Sequence, residues 1–510
     1  MVEEERKYAV PAAFRLPDLS AALPDGGRLH APEPVTLDAT YFDTADLRLA
    51  RSGVSLRHRV GDDRPWTVKL PTRTPERRYE ISRPGPADTV PDELVALVTA
   101  YHRGAPLRPV ALVNTVRHRR TLHDPDGALL VEVVEDQVTT VATGGAATAD
   151  SSFREVEVER GTAADDLLDR VEELLIAAGA HRGVFVAKHV RALGPAAGEA
   201  PDVAGRADLP RRPTAGDVVT EAVRRGVRRI LRNDPLVRLH GEAGDLDAVR
   251  KMRVGCRRLR SDLRTFARLV EPDWAGPLRT ELSWLGGVLG AVRDVDVLRE
   301  RLRRTADADP VDPLDRAAVD RLDAALAARR DAAAAEVDEA LRSPRYLALL
   351  ESLVEAARAP RLTTRADAPA KRTLRKLAAK PWRRLAEGTK RHAGVPALDP
   401  LGPDETWHEI RKEGKRARYA LEAVAPVAGG GAADLALALK EAQDLLGAHQ
   451  DAAVAAETWT ELALAHPDDP VLAVTAGRLT ERERQAVHRA RAAFPERWRT
   501  VVGHRRGWLT

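Results

Sequence analysis

Apolar positions change their rhythm near residue 194. Before it, short segments alternate apolar and polar residues with period two. Val54-Ser55-Leu56-Arg57-His58-Arg59-Val60, Trp66-Thr67-Val68-Lys69-Leu70 and Phe153-Arg154-Glu155-Val156-Glu157-Val158-Glu159 are examples. That period predicts strands with one face buried. Turn-forming stretches separate them, such as Gly61-Asp62-Asp63, Asp124-Pro125-Asp126-Gly127 and Thr143-Gly144-Gly145. Thr44 and Gly53 bracket a predicted short helix over 46–51, and a longer one is predicted over 165–178. The first part therefore reads as a largely antiparallel sheet with flanking helices.

Residues 194–214 are rich in Gly, Pro and Ala and have no period, which predicts a linker. Beyond them strands vanish. Long Ala-, Leu- and Arg-rich segments follow the helical period, with breaks expected at 233–244, 306–312, 359–369, 393–403 and 426–431. Short breaks between helices of that length predict antiparallel neighbours, hence bundles. These segments repeat. Residues 249–263 align with 407–421 at a shift of 158, placing Arg253, Arg257, Arg258 and Arg260 on Arg411, Lys415, Arg416 and Arg418. Further on, Leu289-Gly290-Ala291-Val292-Arg293-Asp294 matches Leu446-Gly447-Ala448-His449-Gln450-Asp451 at a shift of 157. An internal duplication is the simplest account.

Composition narrows the classes. A chain of 510 residues with 44% apolar content can fill several cores, and at roughly 100–200 residues per domain it predicts two to four domains. The single cysteine, Cys256, excludes an intramolecular disulfide framework and a cysteine-cluster metal site. It lies on an apolar helical stripe, where core packing is expected rather than nucleophilic chemistry. The acidic start Met1-Val2-Glu3-Glu4-Glu5 is unlike a signal peptide, and no apolar run nears the ~18–20 residues of a membrane span. A soluble, cytoplasmic protein is expected. Net charge is +4, unevenly divided: residues 1–193 hold 25 Lys/Arg and 30 Asp/Glu, the remainder 56 and 47. Such asymmetry suggests that the second part meets a polyanion.

On the predicted strands, one face is almost wholly charged. Glu3, Glu5 and Lys7 point together, as do Arg57 with Arg59, Arg78 with Glu80, Arg117 with Arg119, Glu132 with Asp136, and Glu155, Glu157 and Glu159; Lys69 opposes Trp66, Val68 and Leu70. An ordinary solvated sheet face explains any one strand, but it normally mixes Ser, Thr and Gln into such positions. Clustered carboxylates repel unless a cation neutralises them, and clustered Arg and Lys call for an anion. If the sheet closes into a barrel, its lumen suits a metal–polyphosphate.

The ordered series Glu3-x-Glu5-x-Lys7, Tyr41-Phe42-Asp43-Thr44, Leu56-Arg57-His58-Arg59, Trp66-Thr67-Val68-Lys69-Leu70-Pro71, Arg78 with Glu80, Glu155-Val156-Glu157-Val158-Glu159 and Val186-Ala187-Lys188-His189 resembles the CYTH, or triphosphate tunnel metalloenzyme, superfamily over about 1–193. The resemblance implies an eight-stranded antiparallel tunnel that hydrolyses triphosphate compounds with Mg²⁺ or Mn²⁺. It implies metal ligands at Glu3, Glu5, Asp136, Glu157 and Glu159, with Glu155 on the same face but outside the inner set. Phosphate binding falls to Lys7, Arg57, Arg59, Lys69, Arg78, Arg117, Arg119 and Lys188. Lys7, Lys188 and Glu157 are the catalytic candidates. Hard Mg²⁺ favours carboxylate and phosphate oxygens, and phosphoryl transfer needs charge stabilisation more than covalent help.

In the helical part, Arg250, Arg253, Arg257, Arg260 and Arg264 recur at spacings of 3 and 4, beside Val249, Met252, Cys256, Leu259, Leu263 and Phe266. The second copy places His408, Arg411, Lys415 and Arg418 beside Trp407, Ile410, Ala417, Leu421 and Val424. Each helix thus carries a buried seam flanked by a cationic ridge. A solvated face is the bland alternative, yet Asp262 is the only acid in 249–264. Five unneutralised arginines along roughly 21 Å of helix would repel without a partner. Lys371, Arg372, Arg375, Lys376, Lys380, Arg383 and Arg384 are candidates to widen the surface.

Met252-Arg253-Val254-Gly255-Cys256-Arg257-Arg258-Leu259-Arg260, Leu289 to Asp296, His408-Glu409-Ile410-Arg411-Lys412, Lys415 to Tyr419 and Gln443 to Gly447 resemble the CHAD domain over about 213–500. Arg250 stands where the first copy of the family usually has His, whereas His408 keeps it in the second; the arginine favours anion binding over a metal at that position. The resemblance implies inorganic polyphosphate as ligand, held by Arg250, Arg253, Arg257, Arg260, His408, Arg411, Lys415 and Arg418, with association with polyphosphate granules as a corollary.

The expected whole is an α+β multidomain chain. It comprises an N-terminal antiparallel eight-stranded β-barrel over 1–193, a linker over 194–212, and an all-α pair of pseudo-twofold four-helix bundles over about 213–358 and 368–500. The expected activity is hydrolysis of inorganic triphosphate to pyrophosphate and phosphate. Three alternatives remain: a catalytically weak polyphosphate-binding protein, cyclase-type or thiamine triphosphatase chemistry in the barrel, and nucleic-acid binding. The last is weakened by the scarcity of aromatics on the ridges. No specific nucleic acid and no membrane partner is expected, and the sequence leaves the oligomeric state open.

Overall fold

The computed structural model describes residues 2–23, 25–72, 74, 77–143, 151–162, 165–182, 186–239, 247–308, 311–390 and 393–505, with the side chains of residues 2–5, 151 and 165 outside that description. The chain forms two compact units: Met1–Asp202 with Asp234–Leu246, and Val203–Asn233 with Asp247–Thr510.

The first unit is an antiparallel sheet of strands β1 (Val2–Ala9), β2 (Arg28–His30), β3 (Val35–Asp43), β4 (Ser55–Arg59), β5 (Trp66–Pro71), β6 (Arg77–Arg83), β7 (Arg108–His123), β8 (Leu129–Ala142), β9 (Ser151–Arg160) and β10 (His181–Arg182). Ten strands stand where eight were expected, because the short β2 and β10 join the ladder on β7 and β1. The order is β10-β1-β6-β5-β4-β3-β7-β8-β9, and β1 also pairs with β9. Residues 2–4 of β1 face β6, and residues 5–9 face β9.

Helices α1 (Arg48–Arg51), α2 (Asp92–Leu97), α3 (Thr99–His102), α4 (Asp165–Ala177) and α5 (Lys188–Leu193) flank this sheet. Val131 and Val133 of β8 and Val156 and Val158 of β9 are buried with Leu167, Leu168, Val171 and Leu175 of α4. Leu56, Trp66, Val68 and Leu70 are buried with Leu94 and Leu97 of α2. Each such side chain contributes about 1.5–3 kcal/mol by leaving water. The period-two pattern then forces the alternate, charged positions onto the opposite face. Val60 departs from that pattern: β4 ends at Arg59, and Val60 is 62% exposed in the turn.

The helix α1 is shorter than the predicted 46–51, because Leu47 has a left-handed φ of 56°. Asp43 substitutes for the missing turn. Its carboxylate accepts from the backbone N–H of Thr44, Leu49 and Ala50 at 2.6, 2.9 and 2.9 Å. The start of the linker region is also tied down: the Ala200 carbonyl accepts from Arg51 at 2.8 Å, and the Asp202 carboxylate pairs with Arg51 at 3.0 Å and with Arg103.

The second unit is helical. Its helices are α6 (Ala215–Arg238), whose last residues belong to the first unit, α7 (Ala248–Thr265), α8 (Pro272–Ala306), α9 (Arg316–Arg342), α10 (Pro344–Arg358), α11 (Ala370–Glu387), α12 (Asp404–Ala428), α13 (Gly430–Leu464) and α14 (Pro470–His504). Consecutive helices pack on one another from α7 to α10 and from α11 to α14, and α7 packs on α12. Gly226 of α6 lets the helix axes approach: a Cβ there would lie 2.9 Å from Leu259 Cβ.

Four helix boundaries differ from expectation, one of them the break between α7 and α8 after Thr265. α6 runs on to Arg238 instead of breaking at 233, with Asp234 and Arg238 paired at 3.1 Å one turn apart. Ser343 and Asp469 start new helices where the apolar period reads through, each accepting from the backbone N–H three residues on, and each followed by Pro at the first helical position. Among the described residues, no helix is long and apolar enough to cross a membrane.

Candidate functional site

Strand register assembles the charged face. Lys7 of β1 lies opposite Glu157 of β9, Asp136 of β8 opposite both Arg117 of β7 and Glu155 of β9, and Lys69 of β5 opposite Glu80 of β6. Opposite charges across a ladder attract, whereas Asp136 beside Glu155, and Glu159 beside Glu132, set like charges face to face. The like-charged positions need a cation.

Lysines and arginines supply it here. Lys188 opens α5 and puts its Nζ 2.5 Å from Asp136, 3.0 Å from Glu155 and 3.0 Å from Glu157. Arg117 forks onto Asp136, Nε to Oδ1 at 2.9 Å and Nη2 to Oδ2 at 2.7 Å, and reaches Glu157 at 3.3 Å. Lys7 also donates to Glu157. Burial alone would raise the Glu157 carboxyl, yet Lys188, Lys7 and Arg117 hold it well below the usual carboxylate range. Burial raises Glu155 and Glu159, and repulsion from Glu157 adds to both shifts. Burial opposes the charge on Lys188, but Glu157, Asp136 and Glu155 together hold its ammonium more firmly than usual.

Asp136, Glu155 and Glu157 each offer a carboxylate oxygen, and these oxygens all lie within 4.8 Å of one another. A buried set of hard oxygen donors fits a hard divalent cation. Glu155, expected outside the inner set, is a member of this cluster, whereas Glu159 is not. The side chains of Glu3 and Glu5 lie outside the described residues. Five of the anticipated residues therefore meet in one network: Lys7, Arg117, Asp136, Glu157 and Lys188. Three others sit on local partners, Lys69 on Glu80 at 2.9 Å, Arg59 on Asp62 at 2.5 Å, and Arg119 on Glu132 at 2.9 Å. Arg57 lies beside Tyr41 and Glu80, and Arg78 lies opposite Glu3 on the neighbouring strand.

His189 went without a role in the sequence. Its ring stacks on Tyr41 with centroids 4.8 Å apart, and burial, reinforced by Arg57 and Lys7, lowers it to about 3. It is a neutral wall of the site. Its position next to Lys188 was the available signal.

The helical unit brings its two ridges together. Met252, Cys256, Leu259 and Leu263 are buried on α7, and Trp407, Ile410, Ala417, Leu421 and Val424 on α12. Burial raises the Cys256 thiol to about 12, as befits a packing residue. Lys415 is lowered to about 7 by burial and then by Arg411, Arg257 and Arg253, so residues from both ridges crowd one ammonium. The ridges are less bare than the sequence window suggests. Arg250 pairs with Asp247 at 2.6 Å, Arg253 with Asp294 at 3.4 Å, Arg411 with Asp451 at 3.9 Å and Arg418 with Glu422 at 3.4 Å. Asp294 and Asp451 are the same position of the two copies, on α8 and α13. No window confined to α7 could reveal them. His408 is held by Gln450. On α11, Arg384 pairs with Glu413 at 3.1 Å.

Fold and charge together define a class: a charge-lined antiparallel sheet followed by a duplicated helical region with a cationic seam. The CYTH domain model matches residues 1–184, and the CHAD domain model matches residues 221–460. Two Mycobacterium tuberculosis proteins, Uncharacterized protein MT2285 and Uncharacterized protein Rv2226, are each 33% identical over 96% of this chain and 94% of their own length. Among solved structures, PptA from Streptomyces chartreusis is 28% identical, covering 56% of this chain and 99% of its own, with a TM-score of 0.46. The CHAD domain from the plant Ricinus communis is 26% identical over 57% of this chain and 95% of its own, with a TM-score of 0.43. The chain belongs to the family of proteins that join a CYTH domain to a CHAD domain.

Proposed function

We propose that the charged sheet face hydrolyses a linear triphosphate, inorganic triphosphate giving pyrophosphate and phosphate, and that the helical unit binds inorganic polyphosphate. One observation carries the first part: Lys7, Arg117 and Lys188 converge on the carboxylates of Asp136, Glu155 and Glu157. These carboxylates would hold a divalent ion such as Mg²⁺ or Mn²⁺. The chemistry supplied by an ion held there is neutralisation of phosphate charge and polarisation of a phosphoryl oxygen. Once their carboxylate partners are engaged, Lys7, Arg117 and Lys188 turn to phosphate oxygens and stabilise the charge that gathers on the leaving pyrophosphate. Arg57 and Arg78 line the same face and would orient the remaining phosphates.

In this reading, β1 joins β6 to β9 so that the ladder wraps around a tunnel, with a tunnel domain over 1–193, a linker over 194–212 and a polyphosphate-binding domain over 213–500. Joining the two raises the local concentration of phosphate chains near the sheet. Location in the cytoplasm, with polyphosphate granules, follows from that partner.

The test is phosphate release by the full chain from triphosphate, ATP, thiamine triphosphate and long polyphosphate, with Mg²⁺ or Mn²⁺ and with chelator. Release from triphosphate that needs the metal is the expected result. Release of pyrophosphate from ATP with formation of a cyclic nucleotide would replace hydrolysis by cyclisation, and no turnover of any compound would leave a binding protein.

A further inference from the structure

The duplication makes α7 and α12 pseudo-twofold mates, so a polyanion groove built on them should have two equivalent ends. It does not. At one end, Arg264 faces Arg416, and burial together with Arg416 and Arg384 lowers the Arg264 guanidinium from its ordinary value. The mates of those two residues, at a shift of 158, are Glu422 and Arg258, which form an ion pair. Like charges meet at one end where opposite charges meet at the other.

Beside the like-charged end lies a cavity of about 710 Å³ between α7, α8 and α12. That volume falls in the range of ~300–1,000 Å³ usual for ligand sites. Seven of its twelve lining residues are Arg or Lys, and none is Asp or Glu. Lys412 and Arg416 pair with Glu409 and Glu413 on their own helix. Arg257, Arg260, Arg264, Arg279 and Lys415 have no carboxylate within ion-pair distance among the described residues. The Nε atoms of Arg257 and Arg279 are buried without an acceptor, and Arg260 is held only by the hydroxyl of Ser283 at 2.5 Å. At a shift of 157, the mate of Arg279 is Ala436, so the second copy cannot build this wall.

The buried, acceptor-less Nε atoms of Arg257 and Arg279 carry a penalty that an acceptor-rich anion removes, and the exposed Arg260 and Arg264 add cationic charge beside them with no carboxylate of their own. An acceptor-only ligand with several charges in a row satisfies all of these donors at once. We propose that the cavity lined by Arg257, Arg260, Arg264, Arg279 and Lys415 is a single, asymmetric seat for consecutive phosphates of a linear polyphosphate, which anchors the chain at one end of the groove. The other end is closed: Glu422 engages Arg258 and Arg418, and its own charge repels phosphate. This seat rests on the polyphosphate reading of the helical unit and adds to it Arg264 and Arg279, together with an order among the ridge residues. Arg260 matters more than its mate Arg418.

The test is calorimetric titration of the full chain with long-chain inorganic polyphosphate, with chelator present. Wild type is compared with Arg264→Gln/Arg279→Gln and with the single mates Arg260→Gln and Arg418→Gln. The double variant should bind at least tenfold more weakly, and Arg260→Gln should lose several times more affinity than Arg418→Gln. Arg279→Lys, which keeps the charge, should retain most of the affinity. Thermal unfolding midpoints of the glutamine variants should not fall, since the replaced cations repel one another, so weak binding cannot be ascribed to misfolding. Wild-type affinity in the double variant with equal losses at Arg260 and Arg418 would overturn the seat while leaving symmetric ridge binding intact. A wild-type chain that binds no polyphosphate would overturn the reading beneath it.

Discussion

The buried Glu157 on the sheet and the half-buried Lys415 on α12 have opposite electrostatic surroundings. Glu157 is touched by three cations, and these outweigh its burial. Lys415 is crowded by three cations, Arg411, Arg257 and Arg253, and burial acts in the same direction. The sheet face is neutralised from within. To take a metal and a phosphate it need only exchange partners, carboxylates passing from lysine to metal and lysines from carboxylate to phosphate. In the helical groove the repulsion around Lys415 is only partly offset, by Asp294 on Arg253 and Asp451 on Arg411. The rest of its neutralisation must come from outside, and such a surface is held together more by the packing beneath it than by its charges.

Removing the central charge should therefore have opposite consequences in the two regions, and the larger effect belongs to the sheet. Glu157→Gln keeps the shape but leaves Lys7, Lys188 and Arg117 to share Asp136 and Glu155. Breaking a buried ionic network in this way costs about 3–5 kcal/mol. Turnover of triphosphate should fall on the order of 10²–10³-fold, as when an oriented electrostatic contact is lost. Urea unfolding and phosphate release measure the two effects. A variant as stable and as active as wild type would show that the network is a solvated surface feature and would break the comparison on the sheet side.

The helical counterpart should move the other way. Lys415→Met removes one of the clustered charges and keeps the aliphatic stem, so the ligand-free protein should gain about 1–2 kcal/mol. Polyphosphate affinity should fall at the same time. Loss of stability in this variant would mean that Lys415 is held by a partner and that the groove is neutralised from within, like the sheet.

How far the sequence reveals each region follows from the same contrast. On the sheet, alternation alone assigns Lys7, Arg117, Asp136 and Glu157 to one face, since a strand offers only two. Register then decides which of them meet, and register is not legible from one strand. Glu155 and Glu159 are indistinguishable by pattern, yet only Glu155 lies opposite Asp136. In the helices, periodicity correctly places Met252, Leu259, Ile410 and Leu421 in cores, and the repeat identifies the two ridges as mates. The partners of the ridge arginines come from distant helices, as with Asp294 and Asp451, and the cavity wall at Arg279 lies on α8, outside any ridge. Caps were readable but outweighed by the apolar period: Ser343-Pro344 and Asp469-Pro470 are ordinary start signals inside segments that otherwise read as continuous.

The smallest effect expected is a proton. Lys415 is lowered from an ordinary 10.5 to about 7 in the ligand-free protein, so it titrates close to neutral pH. The groups facing it are Arg411 on its own helix, Arg257 and Arg253 on α7, and Asp451 on α13, of which only the last favours the ammonium. A bound polyphosphate favours it too, so binding near or above pH 7 should take up a fraction of a proton and raise the folded pKa. Affinity should be level well below pH 7 and decline as pH rises through 7, by no more than tenfold per pH unit from this one group. Stability of the ligand-free chain should respond with the reverse sign. A lysine whose folded pKa is depressed costs stability wherever the unfolded chain binds the extra proton, so stability is lost as pH falls from about 10.5 to 7 and changes little from this group below that. Calorimetry in two buffers of different ionisation enthalpy reads the proton uptake, and Lys415→Met should abolish it. Uptake that survives this substitution would place the titrating group elsewhere in the groove.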